Sequence, residues 1–192
     1  MINSYYELNA QNGEKIKAFP AGFQMIAGDT SQRNFTYPVP DPPKSLWSGD
    51  QATQAALAQK AIGFNCLDYS KAPEASLYRH FLPDKSYLDA NCKDGVRLEL
   101  MFPSCWNGKD MDSVNHKDHM AYPAQVIDGA CPPGFPIRTP GIFYETIVDT
   151  HQFAGKDGSF VFSNGDPTGK QQFKAPNEHS PANFRSRLRI SW

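Results

Sequence analysis

Apolar and aromatic residues come in short runs, at Tyr5 to Leu8 and Ala18 to Ile26, interrupted by Asn12-Gly13, Pro20 and Gly22. Runs of that length bounded by glycine and proline predict strands and turns. Four prolines between Tyr37 and Pro43 exclude regular helix or central strand and predict an extended surface loop. The alanine-rich stretch Gln51 to Ile62 carries the one persuasive helical signal, with Asp50 as its N-cap and Gly63 as its stop. Leu67 to Ala90 is polar and mixed, which predicts a long loop with room for one helical turn. Val96 to Phe102 alternates, with Val96, Leu98, Leu100 and Phe102 on one face and Arg97, Glu99 and Met101 on the other, as a strand does. Ile142 to Val148 and Ser159 to Ser163 are two further strand candidates. Short strands with long, proline-rich connections imply a mostly β domain. The expected architecture is sandwich or jelly-roll-like, with long loops, one short helix and its site among the loops.

Length and charge narrow the picture. A chain of 192 residues suits one folding unit, and sixteen prolines with fourteen glycines argue against an all-helical fold. The net charge of -1 offers no field to attract phosphate backbones or anionic lipid, so neither nucleic acid nor membrane is an expected partner. No apolar run approaches the roughly 18 residues that span a bilayer, and Met1 to Asn12 lack the layout of a secretory signal peptide. Lys174, Arg185, Arg187 and Arg189 give the end a basic bias that reads as a solvated tail. A monomer is expected.

The cysteines point to an oxidising compartment. Cys66, Cys92, Cys105 and Cys131 are even in number and adjoin turn residues, which suits bridges between loops. No two lie within two to four residues of each other, as zinc sites usually require. Three pairings are open. The sequential one, Cys66 with Cys92 and Cys105 with Cys131, is favoured because it closes two loops of equal, modest span. Asn34-Phe35-Thr36 fits the glycosylation sequon and agrees with that setting.

The densest polar constellation runs from Asp110 to His119. If helical, it would place Asp112, His116 and His119 at i, i+4 and i+7 on one face. Two histidines with a carboxylate can hold a divalent metal, and a histidine oriented by a carboxylate is a proton-transfer unit. A loop whose Asp and His residues bond its own backbone is the competing reading. Glu145 sits inside the apolar run Ile142 to Val148, where an inward-facing carboxylate would have its pKa raised and an outward one would be merely solvated. Ser163 to Gly169 is a turn that presents Asp166 at the end of a strand candidate. Trp106, Tyr122 and Tyr144 are candidate stacking platforms for sugar rings, core packing being the commoner use of such residues. No nucleophile motif or phosphate-cradling glycine loop occurs.

Several runs together resemble one family. They are Phe19 to Asp29, Phe64-Asn65-Cys66-Leu67-Asp68-Tyr69, Phe102 to Gly108 with Asp112-Ser113 and His116 to Pro123, Cys131-Pro132-Pro133, and Phe160 to Gly169. In this order they resemble a fungal secreted family known only as a domain of unknown function, DUF1996, some of whose members carry WSC modules associated with wall carbohydrate. The resemblance implies an extracellular or cell-wall protein whose partner is a carbohydrate polymer. It also implies a partial single domain over residues 1–169, lacking an N-terminal section with a His-x-His element, and an unrelated, disordered tail over 170–192.

The resulting expectation is a loop-built cleft that cleaves cell-wall polysaccharide as a hydrolase or lyase. In it Asp112, His116, His119, Glu145 and Asp166 converge, with His116 and His119 as metal ligands or proton carriers and Glu145 or Asp166 as acid or base. The alternative is a non-catalytic carbohydrate-binding or structural wall protein with Trp106, Tyr122 and Tyr144 lining a sugar platform.

Overall fold

The computed structural model describes residues 2–10, 14–29, 32, 34–160 and 186–189. In chain order its elements are β1 (Ile2–Glu7), β2 (Gln24–Ala27), α1 (Gln54–Lys60), β3 (Ile62–Cys66), α2 (Lys85–Asn91), β4 (Val96–Met101), β5 (Cys105–Trp106), β6 (Met120–Ala121), β7 (Ile137–Arg138), β8 (Gly141–Val148) and β9 (Ser186–Arg189). All strand pairing is antiparallel. The main sheet has the order β1-β8-β4-β3, a small sheet the order β6-β5-β7, and β2 pairs with β9. The domain is mostly β and sandwich-like, as its alternating pattern predicts. The expected disordered tail meets one strand, β9, while the rest of 170–192 lies outside the described residues.

Strand alternation sends neighbouring side chains of β4 and β8 to opposite faces, and both faces are covered. On one face Leu100 and Ile142 pack with Phe19, Phe23, Met25, Phe102, Trp106 and Met120, the layer formed by β2 and the small sheet. On the other, Met101 and Phe143 pack under Leu57 and Ala61 from α1 and its end, with Leu77, Tyr122 and Val126. This double cover is why Glu99 is buried although its strand alternates as if one face met water.

Two local expectations are corrected. The helix starts three residues later than expected, because Thr53 rather than Asp50 is the cap: its hydroxyl accepts the Ala56 N–H at 3.2 Å, while Asp50 lies in a short 3-10 turn. The chain then passes straight into β3, so Gly63 is a strand residue and not a stop. A second helix, α2, occupies part of the stretch expected to be loop. Asp84 caps it by accepting the Tyr87 N–H at 2.8 Å, and Lys85 pairs with Asp89 one turn on at 2.5 Å.

Both disulfides take the sequential pairing, Cys66–Cys92 and Cys105–Cys131, each spanning 26 residues. Closing a loop of that length stabilises by about 3.5 kcal/mol through the unfolded chain. The first bond ties the end of α2 to β3, and the second ties the small sheet to the proline-rich loop after it. Buried Arg138 reinforces the latter, donating to the Ser104 hydroxyl at 3.2 Å and to the Gly129 carbonyl. Among the described residues no helix is long and apolar enough to cross a membrane.

Candidate functional site

The Asp110 to His119 segment is not a helix, because its polar side chains cap its own backbone. Asn107 Oδ1 accepts the Lys109 and Asp110 N–H groups, and Ser113 Oγ accepts those of Lys117 and Asp118. The loop lies along β2, whose Gln24 and Ile26 N–H groups donate to Met111 and His116 carbonyls. Asp112 and His116 meet all the same, with His116 Nδ1 2.5 Å from Asp112 Oδ1. His116 reaches it by taking the left-handed backbone, φ 57°, a conformation that a non-glycine residue adopts only when its surroundings hold it. Both side chains are partly exposed. Burial opposes ionisation of Asp112, but the His116 hydrogen bond, the Ser113 N–H and the charges of His116 and His119 outweigh it and hold the carboxyl below its ordinary pKa. The pair can orient an imidazole for proton transfer.

His119 does not join it as a third reacting group. It is 1% exposed, its ring packs on Phe23, and its Nδ1 lies 3.0 Å from Ser113 Oγ. With both lone pairs of that hydroxyl taken by main-chain N–H groups, the hydroxyl proton is left for His119 Nδ1 or Asn115 Oδ1. Nε2 has no partner of hydrogen-bond geometry among the described residues. Burial pushes the His119 pKa down, as does the charge of His116. The Gln24 main chain and the carboxylates Asp112 and Asp110 oppose this without cancelling it. His119 therefore serves the loop as an internal anchor. Among the described residues no three His, Cys, Asp or Glu side chains are arranged to hold a metal ion.

Glu145 faces inward and lies on the other side of the sheet. Alternation puts it beside Phe143 under α1, whereas His119 packs with Phe23 in the opposite layer. Directly across from it in register is Glu99. Arg97 bridges the two, its Nε 3.1 Å from Glu145 Oε1 and 2.9 Å from Glu99 Oε1. Glu99 is fully engaged, accepting from Asn65 Nδ2 at 3.0 Å and from the Leu77 N–H at 2.7 Å. Gly63 makes room for it, since a Cβ there would overlap Glu99 Oε2. Tyr5 on β1 adds its hydroxyl to Glu145, and that hydrogen bond raises the Tyr5 pKa. Asp166 lies outside the described residues. Of the residues expected to share one cleft, Asp112 and His116 come together, and Glu145 is held apart from them by the sheet.

Trp106, Tyr122 and Tyr144, the candidate sugar platform, pack against other residues, the commoner use of such rings. Trp106 is 4% exposed, sits edge-on to Phe23 and donates its indole N–H to the Asp110 carbonyl at 2.7 Å. Tyr122 is 7% exposed, its hydroxyl donating to the Met101 carbonyl, and burial pushes its pKa far up. Tyr144 packs half-buried against Phe102. Among the aromatic rings exposed elsewhere are Tyr78 and Tyr87, both close to Arg79. Sequence reading also missed a buried charge cluster at the edge of α1. Lys60 Nζ pairs with Asp41 at 3.1 Å, donates to Gln51 Oε1 at 2.8 Å and lies 3.6 Å from the centre of the Trp47 ring. Nearby, His80 Nε2 lies 3.5 Å from the same carboxylate. These groups pin the proline-rich loop to the helix. Nothing in the sequence short of the fold brings Asp41, Lys60 and His80 together.

Fold and clusters define a disulfide-stapled, mostly β domain in which most ionisable groups near the core are committed to holding loops and strands. The family model described as Domain of unknown function (DUF1996) matches residues 1–174, and the chain belongs to that family. No curated protein and no solved structure matches the chain.

Proposed function

We propose that this chain is an extracellular protein that binds a carbohydrate polymer without cleaving it, in a fungal cell-wall setting. The observation that supports the reading is the division, among the described residues, of its candidate acids and bases by the main sheet. Glu145 is tied to Arg97 and Glu99 on one side, and Asp112 and His116 lie in a loop on the other. Glycosidic cleavage by paired carboxyl groups needs both within about 5 to 10 Å across one bond. The extracellular setting is supported by four cysteines that are all paired, since such bonds persist in oxidising compartments. It is supported further by Asn34, which is exposed at the head of its sequon.

A second reading keeps one observation in its favour: the partly exposed Asp112–His116 pair on a strained backbone suits a hydrolase or lyase. Sedimentation with insoluble wall polysaccharides, followed by assay of the supernatant for reducing ends and unsaturated sugars, separates the two. Retention of the protein without new products is the expected result. Products that vanish in a His116→Ala variant would install the catalytic reading instead.

A further inference from the structure

The segment 74–80 is laid against the outer edge of β3 and held there with more machinery than a connecting loop requires. Phe64 N–H donates to the Arg79 carbonyl at 2.8 Å, and the Leu77 N–H donates to buried Glu99 at 2.7 Å. Leu77 takes a left-handed backbone, φ 57°. That turn sends Leu77 into the core and Tyr78 out, so that Tyr78 is 62% exposed beside a buried leucine. Backbone strain of this kind persists only where the surroundings fix it, and here they fix the placement of a ring in water.

Arg79 is immobilised next to that ring. Its guanidinium meets Glu74 at 2.7 and 3.1 Å in a two-pronged pair, donates to the Phe64 carbonyl at 3.1 Å and to the Tyr87 hydroxyl at 3.2 Å. The Tyr78 and Tyr87 rings flank it, 5.6 and 5.2 Å from its central carbon. Tyr87 is 39% exposed and belongs to α2, which the Cys66–Cys92 bond fastens to β3. Two rings from separate segments are thus clamped to one fixed guanidinium by an ion pair, a disulfide and a buried carboxylate. Rings held in advance lose little freedom when a ligand lands on them.

We propose that Tyr78, Arg79 and Tyr87 form a saccharide-binding platform for a neutral pyranose polymer; this rests on the carbohydrate-binding reading above and assigns it a site. Flat phenol rings offer apolar faces to the C–H faces of pyranoses and their hydroxyls offer directional hydrogen bonds, while the fully paired guanidinium holds the rings in place. Charge selects the class of polymer. Glu74 neutralises Arg79, and on α2 Asp89 neutralises Lys85, so among the described residues the two cations beside the rings are each paired, which disfavours a uronate or sulfate.

The test is affinity electrophoresis of the full, oxidised chain through gels containing a β-linked glucan, an N-acetylglucosamine polymer or polygalacturonate. Tyr78→Ala and Tyr87→Ala are each expected to weaken binding to a neutral polymer about tenfold, near 1.4 kcal/mol. Tyr78→Phe should stay near the parent, and Tyr6→Ala, which removes an exposed ring on β1, should be unaffected. Wild-type melting and intact disulfides in each variant exclude unfolding as the cause. Neutral-polymer binding that survives both alanine variants overturns the platform while leaving the carbohydrate reading standing. Retardation by polygalacturonate alone overturns the neutral class, and no retardation by any polymer overturns both proposals.

Discussion

Replacing Glu99 by glutamine removes one charge and almost no volume, and the structure makes it a severe change. One oxygen of Glu99 faces three donors, Arg97 Nε at 2.9 Å, Arg97 Nη2 at 2.7 Å and Asn65 Nδ2 at 3.0 Å, while the other faces the Leu77 N–H at 2.7 Å. A glutamine must point its NH2 at one of those sets, so a donor meets a donor whichever way the amide is turned. The less costly orientation sacrifices Leu77 N–H, which loses its acceptor in a buried site at about 1 to 3 kcal/mol, and weakens the charge-assisted bonds to Arg97 by a similar amount. The expected loss is about 3 to 5 kcal/mol, a drop in Tm of roughly 10 °C for a chain of this size. Glu145→Gln is the control, because Arg97 keeps Glu99 as its partner; a loss of about 1 kcal/mol is expected there. Urea unfolding under non-reducing conditions measures both. A Glu99→Gln loss below about 1 kcal/mol, or one equal to that of Glu145→Gln, would refute the claim that Glu99 is the buried anchor of this face.

Three further outcomes follow from the same contacts. Gly63→Ala should cost about 1 to 3 kcal/mol or more by thermal melting, since its methyl overlaps the Glu99 carboxylate and crowds Leu77. A Cys66→Ala, Cys92→Ala double variant should lose about 3 kcal/mol, and non-reducing peptide mapping should still recover Cys105 joined to Cys131. The buried histidines set the pH dependence. Desolvation holds the pKa of His80 and of His119 below the usual 6.5, so each contributes stability that is complete above that pH and is lost as pH falls through their lowered values. The melting temperature should therefore fall as pH drops from about 7 towards 5, and a His80→Gln, His119→Gln variant should flatten that slope.

Alternation and punctuation in the sequence were sufficient for the β4 and β8 strands and for the mostly β class, because side-chain period is a local property of a strand. Residues 85–91 escaped detection since α2 is short and polar; Asp84, which caps it, is the one local signal that could have found it. Asp112 and His116 were found at their helical spacing, yet they meet through a left-handed turn that the spacing does not encode. For Trp106 and Tyr122 both surface platform and core packing stayed open, because a sequence does not say which face a ring occupies. The pattern placed Glu99 on a face with Arg97 and Met101, and only the cover supplied by α1 and Leu77 shows that this face is buried. Tyr78 and Tyr87 carry no motif at all; their common partner, Arg79, is apparent only when β3 and α2 are side by side.

The account turns on the main sheet keeping Glu145 and His116 energetically apart, and a double-mutant cycle measures that separation. Unfolding free energies of Glu145→Gln, His116→Gln and the double variant should add to within about 0.5 kcal/mol, as expected for side chains with no shared partner on opposite faces. A coupling above about 1 kcal/mol would show that the two groups act on each other and would contradict the division on which the binding assignment stands.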